Sequence, residues 1–593
     1  MEGLTHYISS YRRIHKDIDN NKDLTDYRRI KIAILSSFTI SGIQETLFVK
    51  CYNVKVNAEI YVGNYKQYYQ EILNKDSGLY RFQPDLIIVF LDTKAILADT
   101  YFSPYGISDE ERREFADAKT KEFQELIQKL KESTTAKILF HNFEVPLYSP
   151  MGILENKQTF GFIELVETIN SRLREAYKKD GQVFVYDYNM FCSKIGKQNI
   201  VDYTMYYLGD IKLNFQHIPE LCGDYLTYIK PIIGMSKKCI VLDLDNTLWG
   251  GIIGEDGFEG IKLGPEPEGR PFMEFQQYLF SLYKRGIILA VNSKNNRDEV
   301  LKVFKEHPYM VLRKEHFASM QINWNDKASN MKEIAKELNI GLDSMVFIDD
   351  DKLNREIIKG SLPEVLVVDM PDSPTLYLKA FMELNDFNTL QLTEEDKKKG
   401  QLYAERRRRE EYLNAAADIT DFLRGLRMVV AIEEANDFSI PRISQLTLKT
   451  NQFNMTTRRY QEEQVRNFVK NGKHRVWSVR VEDKFGDNGI TGVMIVKQEA
   501  DTWMIDTFLL SCRVIGRGIE DAMLAYIIEQ AKAEGIRTLI GEFVQSKKNA
   551  PAMEFYKKNG FSLKNNEESE IWEYDVAKGY TFPDFIKIVR GGK

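Results

Sequence analysis

The sequence predicts a multidomain α/β protein: two domains with parallel sheets, then one mixed α+β domain. Three observations predict it. The chain has 593 residues, enough for three or four units of roughly 150 residues. Short apolar runs alternate with helical patterns up to about residue 375, the order that builds parallel sheets. Beyond about 427 apolar runs follow one another across a short polar turn, as antiparallel strands do.

Residues 1–29 are polar and read as a lead-in. Apolar runs at 32–35, 86–91, 137–140 and 183–186 read as strands, with amphipathic helices at 122–130 and 162–177, so an α/β domain is expected at 30–225. A buried strand at 239–242 opens the next domain, 236–375. Its glycine-rich stretch 250–269 reads as a small excursion rather than a second core. A helix at 272–283, strands at 287–291, 345–348 and 365–368, and a helix at 327–338 complete it. Residues 376–425 are charged and read as a helical linker. Their arginine run 406–409 is flanked by Glu405, Glu410 and Glu411, as on a solvated helix face. The last domain, 427–580, has paired strands at 476–483 and 492–499 around the turn 485–489, a strand at 507–510 and a helix at 518–534.

Composition narrows the function classes. With 43% hydrophobic and 28% charged residues, wholesale disorder is excluded. A net charge of −6 does not suit a nucleic-acid backbone as main partner. The five cysteines, Cys51, Cys192, Cys222, Cys239 and Cys512, show no metal spacing and suit a reducing compartment. The N-terminus lacks the apolar stretch of a signal peptide, and no run of about 18 apolar residues spans a membrane. A cytoplasmic address and no membrane partner are expected.

The chemistry concentrates after strand 239–242. Asp243 and Asp245, two residues apart at the strand end, can share one site. Clustered carboxylates repel, so a cation is implied, and Mg²⁺ suits oxygen ligands. Ser293 follows the strand at 287–291, Lys327 starts a helix, and Asp349 and Asp350 follow 345–348. A hydroxyl, an ammonium and carboxylates are what a phosphoryl group and its metal need.

The run VLDLDNT resembles the first motif of the haloacid dehalogenase-like (HAD) superfamily. That resemblance implies a Rossmann-like domain with a minimal cap, a nucleophile at Asp243 and a general acid/base at Asp245. It implies phosphoryl contacts from Thr247, Ser293 and Lys327. It implies Mg²⁺ held by Asp243, the Asp245 carbonyl and Asp350, with Asp349 a further candidate ligand. The segments DLDNTLWGGIIGEDG, LGPEPEGRPF, NSKNN, NWNDK and FIDDD together resemble FkbH-like proteins of the IIIC type, which are associated with loading a glyceryl unit onto an acyl carrier protein with release of phosphate. Two positions depart. Asn292 stands where glyceryl-loading members have a cysteine, which removes a thioester there, and Asn354 stands where a further acidic residue would follow.

In the last domain, Arg513, Val514, Ile515, Gly516, Arg517 and Gly518 lie between a strand and a helix, where glycines and helix-start amides can approach a pyrophosphate. With KKNAPAMEFYKKNGF this resembles Gcn5-related N-acetyltransferases (GNAT). The resemblance implies that 513–518 grip the pyrophosphate of acetyl-CoA or another acyl-CoA, that Asn549 contacts the cofactor arm and that Tyr556 protonates the thiolate. A fold that has lost transfer, or binds a carrier's phosphopantetheine, stays open. Residues 445–460 read equally as an acceptor groove or a capped surface helix.

At the start, ILSSFT resembles an SGNH-type hydrolase, a flavodoxin-like α/β fold, with Ser36 and Ser37 after a strand and His141 and Asp187 near later strand ends. The esterase Asp-x-x-His reads Asn214-x-x-His217 instead, so a non-catalytic docking domain is expected and His141 reads as buried. The leading expectation is a Mg²⁺-dependent phosphatase, or a phosphoryl-releasing acyl transferase, acting on a small phosphorylated metabolite and joined to an acyl-CoA- or carrier-binding domain. An N-acetyltransferase of an amino sugar or amino acid, and a non-enzymatic scaffold, are the alternatives.

Overall fold

The computed structural model describes residues 3–20, 23–392, 418–546, 548–566 and 569–590. The arginine run 406–409 lies outside them. The chain divides into two compact units, Met1–Ile233 and Gly234–Lys593.

In the first unit, β1 (Arg28–Ser36), β2 (Val56–Val62), β3 (Leu86–Phe90), β4 (Lys137–His141) and β5 (Val183–Tyr186) form a wholly parallel sheet in the order β2-β1-β3-β4-β5. Strands β3 and β4 are buried along their whole length, so each reads as a continuous apolar run. The edge strand β2 escapes the sequence reading because Asn57 and Glu59 interrupt it and most of it is only half-buried. The lead-in is ordered: helix Leu4–Asp19 packs Tyr7 and Ile14 on Phe48 and Val49. Helix Asp109–Ser133 starts at a reciprocal cap between Ser108 and Glu111.

The second unit holds two sheets. The first is parallel, in the order β10-β9-β6-β7-β8, from β6 (Cys239–Leu242), β7 (Ile288–Ser293), β8 (Phe317–Ile322), β9 (Met345–Ile348) and β10 (Leu366–Val367). Strand β6 is central and fully buried. The excursion is closed by a bridge between Gly250 and Lys262 and carries helix Ile253–Gly260, broken at Gly257, whose φ is 69°. The charged linker begins later than its composition suggests, because Tyr377, Phe381 and Phe387 are buried in this domain's core.

The second sheet runs β17-β18-β16-β15-β14-β13-β11-β19. Its strands are β11 (Met428–Glu434), β12 (Phe453–Asn454), β13 (His474–Asp483), β14 (Gly486–Glu499), β15 (Thr502–Leu510), β16 (Thr538–Phe543), β17 (Ser562–Asn566), β18 (Glu570–Asp575) and β19 (Ile586–Arg590). The expected hairpin is β13–β14, with a tighter turn than 485–489: β14 already starts at Gly486, and the ladder is irregular there. Helix Ile419–Leu426 buries Phe422 and Leu426 in this core, and β19 pairs in parallel with β11, so the domain extends past both expected ends. Strands β15 and β16 pair in parallel only over Thr502–Ile505 and Thr538–Gly541 and then diverge. Phe453 and Asn454 of β12 pair with Leu510 and Leu509. Met455 continues the bridge: its N–H donates to Phe508 (3.1 Å) and its carbonyl accepts from Val544 (2.8 Å).

Candidate functional site

The carboxyl ends of β6, β7 and β9 gather the predicted phosphoryl residues. Asp243 follows β6, and its N–H donates to the Ile348 carbonyl at the end of β9 (2.9 Å). Oxygens of Asp243, Asp349 and Asp350 lie within 4.8 Å of one another. Lys327, buried at the start of helix Lys327–Leu338, sends its ammonium to Asp243 (3.0 Å) and Asp349 (2.5 Å). Burial opposes that charge, but the two carboxylates outweigh it and raise the lysine's pKa. Burial, then Asp243, raises Asp349. Burial, then Asp243 and Asp349, pushes Asp350 up to about 6. Three carboxylates and one ammonium leave an excess of negative charge in a part-dry site, which suits a hard divalent cation.

Asp245 lies outside that trio. Its carboxylate accepts from Trp249 Nε1 (2.9 Å), the Ile253 amide (3.1 Å) and Asn295 Nδ2 (2.8 Å). Burial raises its pKa against these three donors, a state suited to giving and taking a proton. Ser293 is buried beside Asn295 (3.3 Å). Thr247 is buried, and its hydroxyl has no partner among the described residues.

Some contributors were not foreseen. Arg355 donates to the carbonyls of Asp349 (2.8 Å) and Asp350 (2.6 Å), fixing the loop that aims both carboxylates. Trp249 and Asn295 stand inside segments singled out from the sequence, yet their bonds to Asp245 follow only from the fold. Asn354 lies 3.4 Å from Asp349 as an amide donor.

Asn292 has a structural task. Its Nδ2 donates to the Lys327 carbonyl (2.9 Å), and its Oδ1 accepts from Asn330 (3.1 Å). Asn330 also donates to Asn323 (3.0 Å), whose N–H meets the Ser293 carbonyl (3.2 Å). These amides tie the Lys327 helix to the end of β7. Asn292→Ala is expected to cost about 1–3 kcal/mol in a denaturant melt, because it strands two buried groups. An unchanged midpoint would show the clamp to be dispensable.

The C-terminal sheet handles its predicted residues differently. Gly516 and Gly518 have φ of 76° and 74°, and Gly518 precedes helix Ile519–Ala533. Val514 is fully buried. Arg517 folds back onto the Arg513 carbonyl (2.7 Å) and Asp483 (3.4 Å). Arg513, whose Nε lies 3.4 Å from Ser511 Oγ, lines a cavity of about 380 Å³. Asn549, expected to contact the cofactor arm, and Tyr556, expected to protonate the thiolate, are both buried. The Asn549 amide donates to the carbonyls of Asn454 (3.1 Å) and Val544 (2.9 Å) and accepts from Ser546 (2.7 Å). The Tyr556 ring lies against Gly541, its hydroxyl has no partner among the described residues, and burial drives its pKa far up. Residues 445–460 do not form a surface helix. Helix Ile440–Lys449 is largely buried, and Arg458 bridges Asp506 of β15 (2.9 Å) and Glu542 of β16 (2.6 Å).

In the first unit, the described residues do not join Ser36 or Ser37 to His141, Asp187 or His217 in a hydrolase triad. Ser36 Oγ accepts from Phe38 and Ser37 Oγ from Asp92, and among the described residues neither serine bonds a histidine. His141 is buried, with Tyr225 OH at 3.1 Å, and burial lowers its pKa well below the usual range. Asp187 caps helix Tyr188–Ile195 and accepts from Asn142. His217 meets Glu220 (3.2 Å), and Asn214 caps the short turn that ends at His217. Lys212, which the sequence does not flag, is buried between Asp92 (2.5 Å) and Glu144 (3.1 Å).

Comparison with known proteins finds likenesses in separate parts of the chain. Residues 31–230 match the FkbH N-terminal domain family, and residues 441–561 match the acetyltransferase (GNAT) family. The N-terminal part of protein BF1531 from Bacteroides fragilis, described as containing a phosphatase domain and complexed with Mg, is 28% identical. The match covers 66% of this chain and all of that one, with a TM-score of 0.58. The ribosomal-protein-S18-alanine N-acetyltransferase from Escherichia coli is 14% identical over 25% of this chain and 94% of its own, at a TM-score of 0.21. A GNAT-family acetyltransferase from Staphylococcus aureus is 12% identical over 25% and 99%, also at 0.21. A search of curated proteins finds no match. The chain thus carries two catalytic-type folds, a phosphatase-type parallel sheet and an acetyltransferase-type mixed sheet. Among the described residues no helix is long and apolar enough to cross a membrane.

Proposed function

We propose that the second unit releases phosphate from a small phosphorylated metabolite in a Mg²⁺-dependent reaction, with Asp243 as nucleophile. The convergence of Asp243, Asp349 and Asp350 within 4.8 Å, beside a single buried ammonium, carries the reading. The Mg-complexed phosphatase domain of the similar Bacteroides fragilis protein supports it. Asp243, Asp349, Asp350 and the Asp245 carbonyl would hold Mg²⁺, which supplies charge neutralisation to the phosphoryl oxygens.

A carboxylate oxygen of Asp243 attacks phosphorus, and the bond from phosphorus to the leaving oxygen breaks. Asp245 gives that oxygen its proton. Asp245 then takes a proton from water, whose oxygen attacks the aspartyl-phosphate, freeing inorganic phosphate and restoring Asp243. Lys327, Ser293 and Thr247 orient the phosphoryl oxygens. Treatment of the full chain with a chelator is expected to stop phosphate release from a panel of phosphoesters and acyl phosphates, and added Mg²⁺ to restore it. Undiminished release in the chelator would remove the metal from the reading.

The acyl side of the proposal rests on the acetyltransferase-type fold sharing this unit. Asn339 donates to the Cys512 carbonyl (2.6 Å), and Lys548 pairs with Asp343 (2.5 Å). These contacts lie before β9, at the end of the parallel sheet opposite Asp243. A substrate tethered to a flexible carrier arm, as on an acyl carrier protein, would serve both ends.

A further inference from the structure

Four of the five tryptophans, Trp249, Trp477, Trp503 and Trp572, are buried in the cores, whereas Trp324 is 75% exposed. A single exposed apolar side chain needs no explanation on an ordinary surface. The place of this one is not ordinary. It lies between β8 and helix Lys327–Leu338, two residues past Ile322 and three before Lys327. Both sides of its loop are fixed at the phosphoryl site. Before it, the Asn323 N–H donates to the Ser293 carbonyl (3.2 Å), and the Asn323 side chain accepts from Asn330 (3.0 Å). After it, the Asn325 N–H donates back to Asn323 Oδ1 (2.9 Å), and Asp326 caps the Lys327 helix by accepting from the Ser329 N–H (2.8 Å). A large flat ring is thus held out in water on a braced loop.

The same mouth has a second apolar side. Ile253 donates its N–H to Asp245 (3.1 Å), and its neighbour Ile252 is 39% exposed. Asn295 joins the two sides, since its Nδ2 reaches both Asp245 (2.8 Å) and Ser293 Oγ (3.3 Å). Hydrogen bonds therefore run from Ile253 through Asp245, Asn295 and Ser293 to Asn323, which sets Ile252 and Trp324 along one rim. The excursion's helix Ile253–Gly260 packs on helix Arg297–Glu306, where Lys302 lies over the Phe258 ring (5.0 Å), and it leaves the Trp324 ring uncovered. Asp245 and Asp350 are only half-buried, open to a molecule that arrives past the rim.

In phosphate release the leaving oxygen takes its proton from Asp245. Whatever follows that oxygen in the substrate leaves the buried carboxylates and meets the rim. A small hydroxylated leaving group gains little from an indole face or an isoleucine. A flat or apolar one removes water from both surfaces. Contacts of this kind persist through the reaction, so they tighten binding more than they speed the chemistry.

We propose that Trp324, with Ile252, forms a leaving-group subsite, and that the phosphoryl site prefers monoesters whose leaving group carries a ring or a comparable apolar body close to the ester oxygen. This subsite rests on phosphate release at Asp243, for which it names the substrate class. Two measurements on the full chain test it. The first compares Mg²⁺-dependent phosphate release from benzyl phosphate and ethyl phosphate, whose leaving alcohols are nearly equal in acidity and differ in the ring. The wild type is expected to favour the benzyl ester in kcat/KM. Trp324→Ala is expected to cut that preference about tenfold, the worth of one well-placed aromatic contact, through KM rather than kcat. Trp324→Phe keeps a flat face and should retain most of the preference. The second measurement reads the tryptophan itself, without turnover. Iodide is expected to quench the fluorescence of Trp324 and to spare the four buried tryptophans. Benzylphosphonate, which has no ester bond to break, should lower that quenching about twofold or more at saturation by covering the ring, and ethylphosphonate should not.

Absence of release from both esters would end the phosphatase reading, and the subsite with it. Release in which Trp324→Ala keeps the full benzyl preference would overturn the subsite alone. So would iodide quenching that benzylphosphonate leaves unchanged. The Trp324 side chain is exposed, so its variants should melt with the wild type, and the fluorescence measurement on the wild type needs no variant at all.

Discussion

Asp243→Asn is expected to abolish Mg²⁺-dependent phosphate release, with a fall of about 10⁴-fold or more, because an amide cannot form the aspartyl-phosphate. The same change should leave the fold intact or firmer. Asp243 sits in a cluster where its charge helps push Asp350 up to about 6 and raises Asp349 as well. Removing that charge relieves both, while Lys327 keeps its closer partner Asp349 at 2.5 Å. Lost activity with an equal or higher melting temperature is therefore the signature of a nucleophile, and it separates a chemical role from a structural one. Release at the wild-type rate in this variant would end the assignment. Lys327→Met should also lose activity, but with lowered stability, since it leaves two buried carboxylates without their ammonium. The contrast between the two melts is as informative as the two rates.

The phosphoryl site was legible because its residues sit at strand ends, and strands buried on both faces announce themselves as short apolar runs. Asp243, Ser293 and Asp349 each follow such a run directly, so their convergence needs only the parallel order of β6, β7 and β9. Supporting residues were not legible in that way. Arg355 reaches back from helix Lys352–Ser361 to two backbone carbonyls, a contact with no local pattern. Asn292 was read as the loss of a thiol, whereas its positive task, bracing the Lys327 helix, depends on Asn330 being brought beside it. The glycine turn shows the opposite failure. Gly516 and Gly518 do adopt the left-handed backbone that such a turn needs, but Arg517, between them, folds back onto the Arg513 carbonyl and Asp483, contacts that no local pattern announces. Domain edges slipped for a related reason. Charge density marks a linker only until single aromatics such as Tyr377, Phe381 and Phe387 find a core.

Lys212→Met is expected to destabilise the first unit by about 3–5 kcal/mol, because it leaves Asp92 and Glu144 facing each other without their cation in a buried crevice. Lys212 is itself 5% exposed, so water cannot replace the lost partner. Burial alone would lower its pKa, but the two carboxylates outweigh that and raise it. A lysine held above its unfolded value of about 10.4 contributes its full stabilisation below that pH and loses it only in stronger alkali. A melt at neutral pH therefore measures the whole effect, about 10 °C in a domain of this size. Asp92 is also tied to Ser37 through its N–H and caps helix Thr93–Leu97, so the lysine locks the ends of β1 and β3 together. A buried ion cluster thus stands at these strand ends. Adding Asp92→Asn and Glu144→Gln to Lys212→Met should recover part of the loss, since the stranded charges go with the cation. If the single variant melts like the wild type, or the triple variant melts below the single one, the cluster is not what holds these strand ends together.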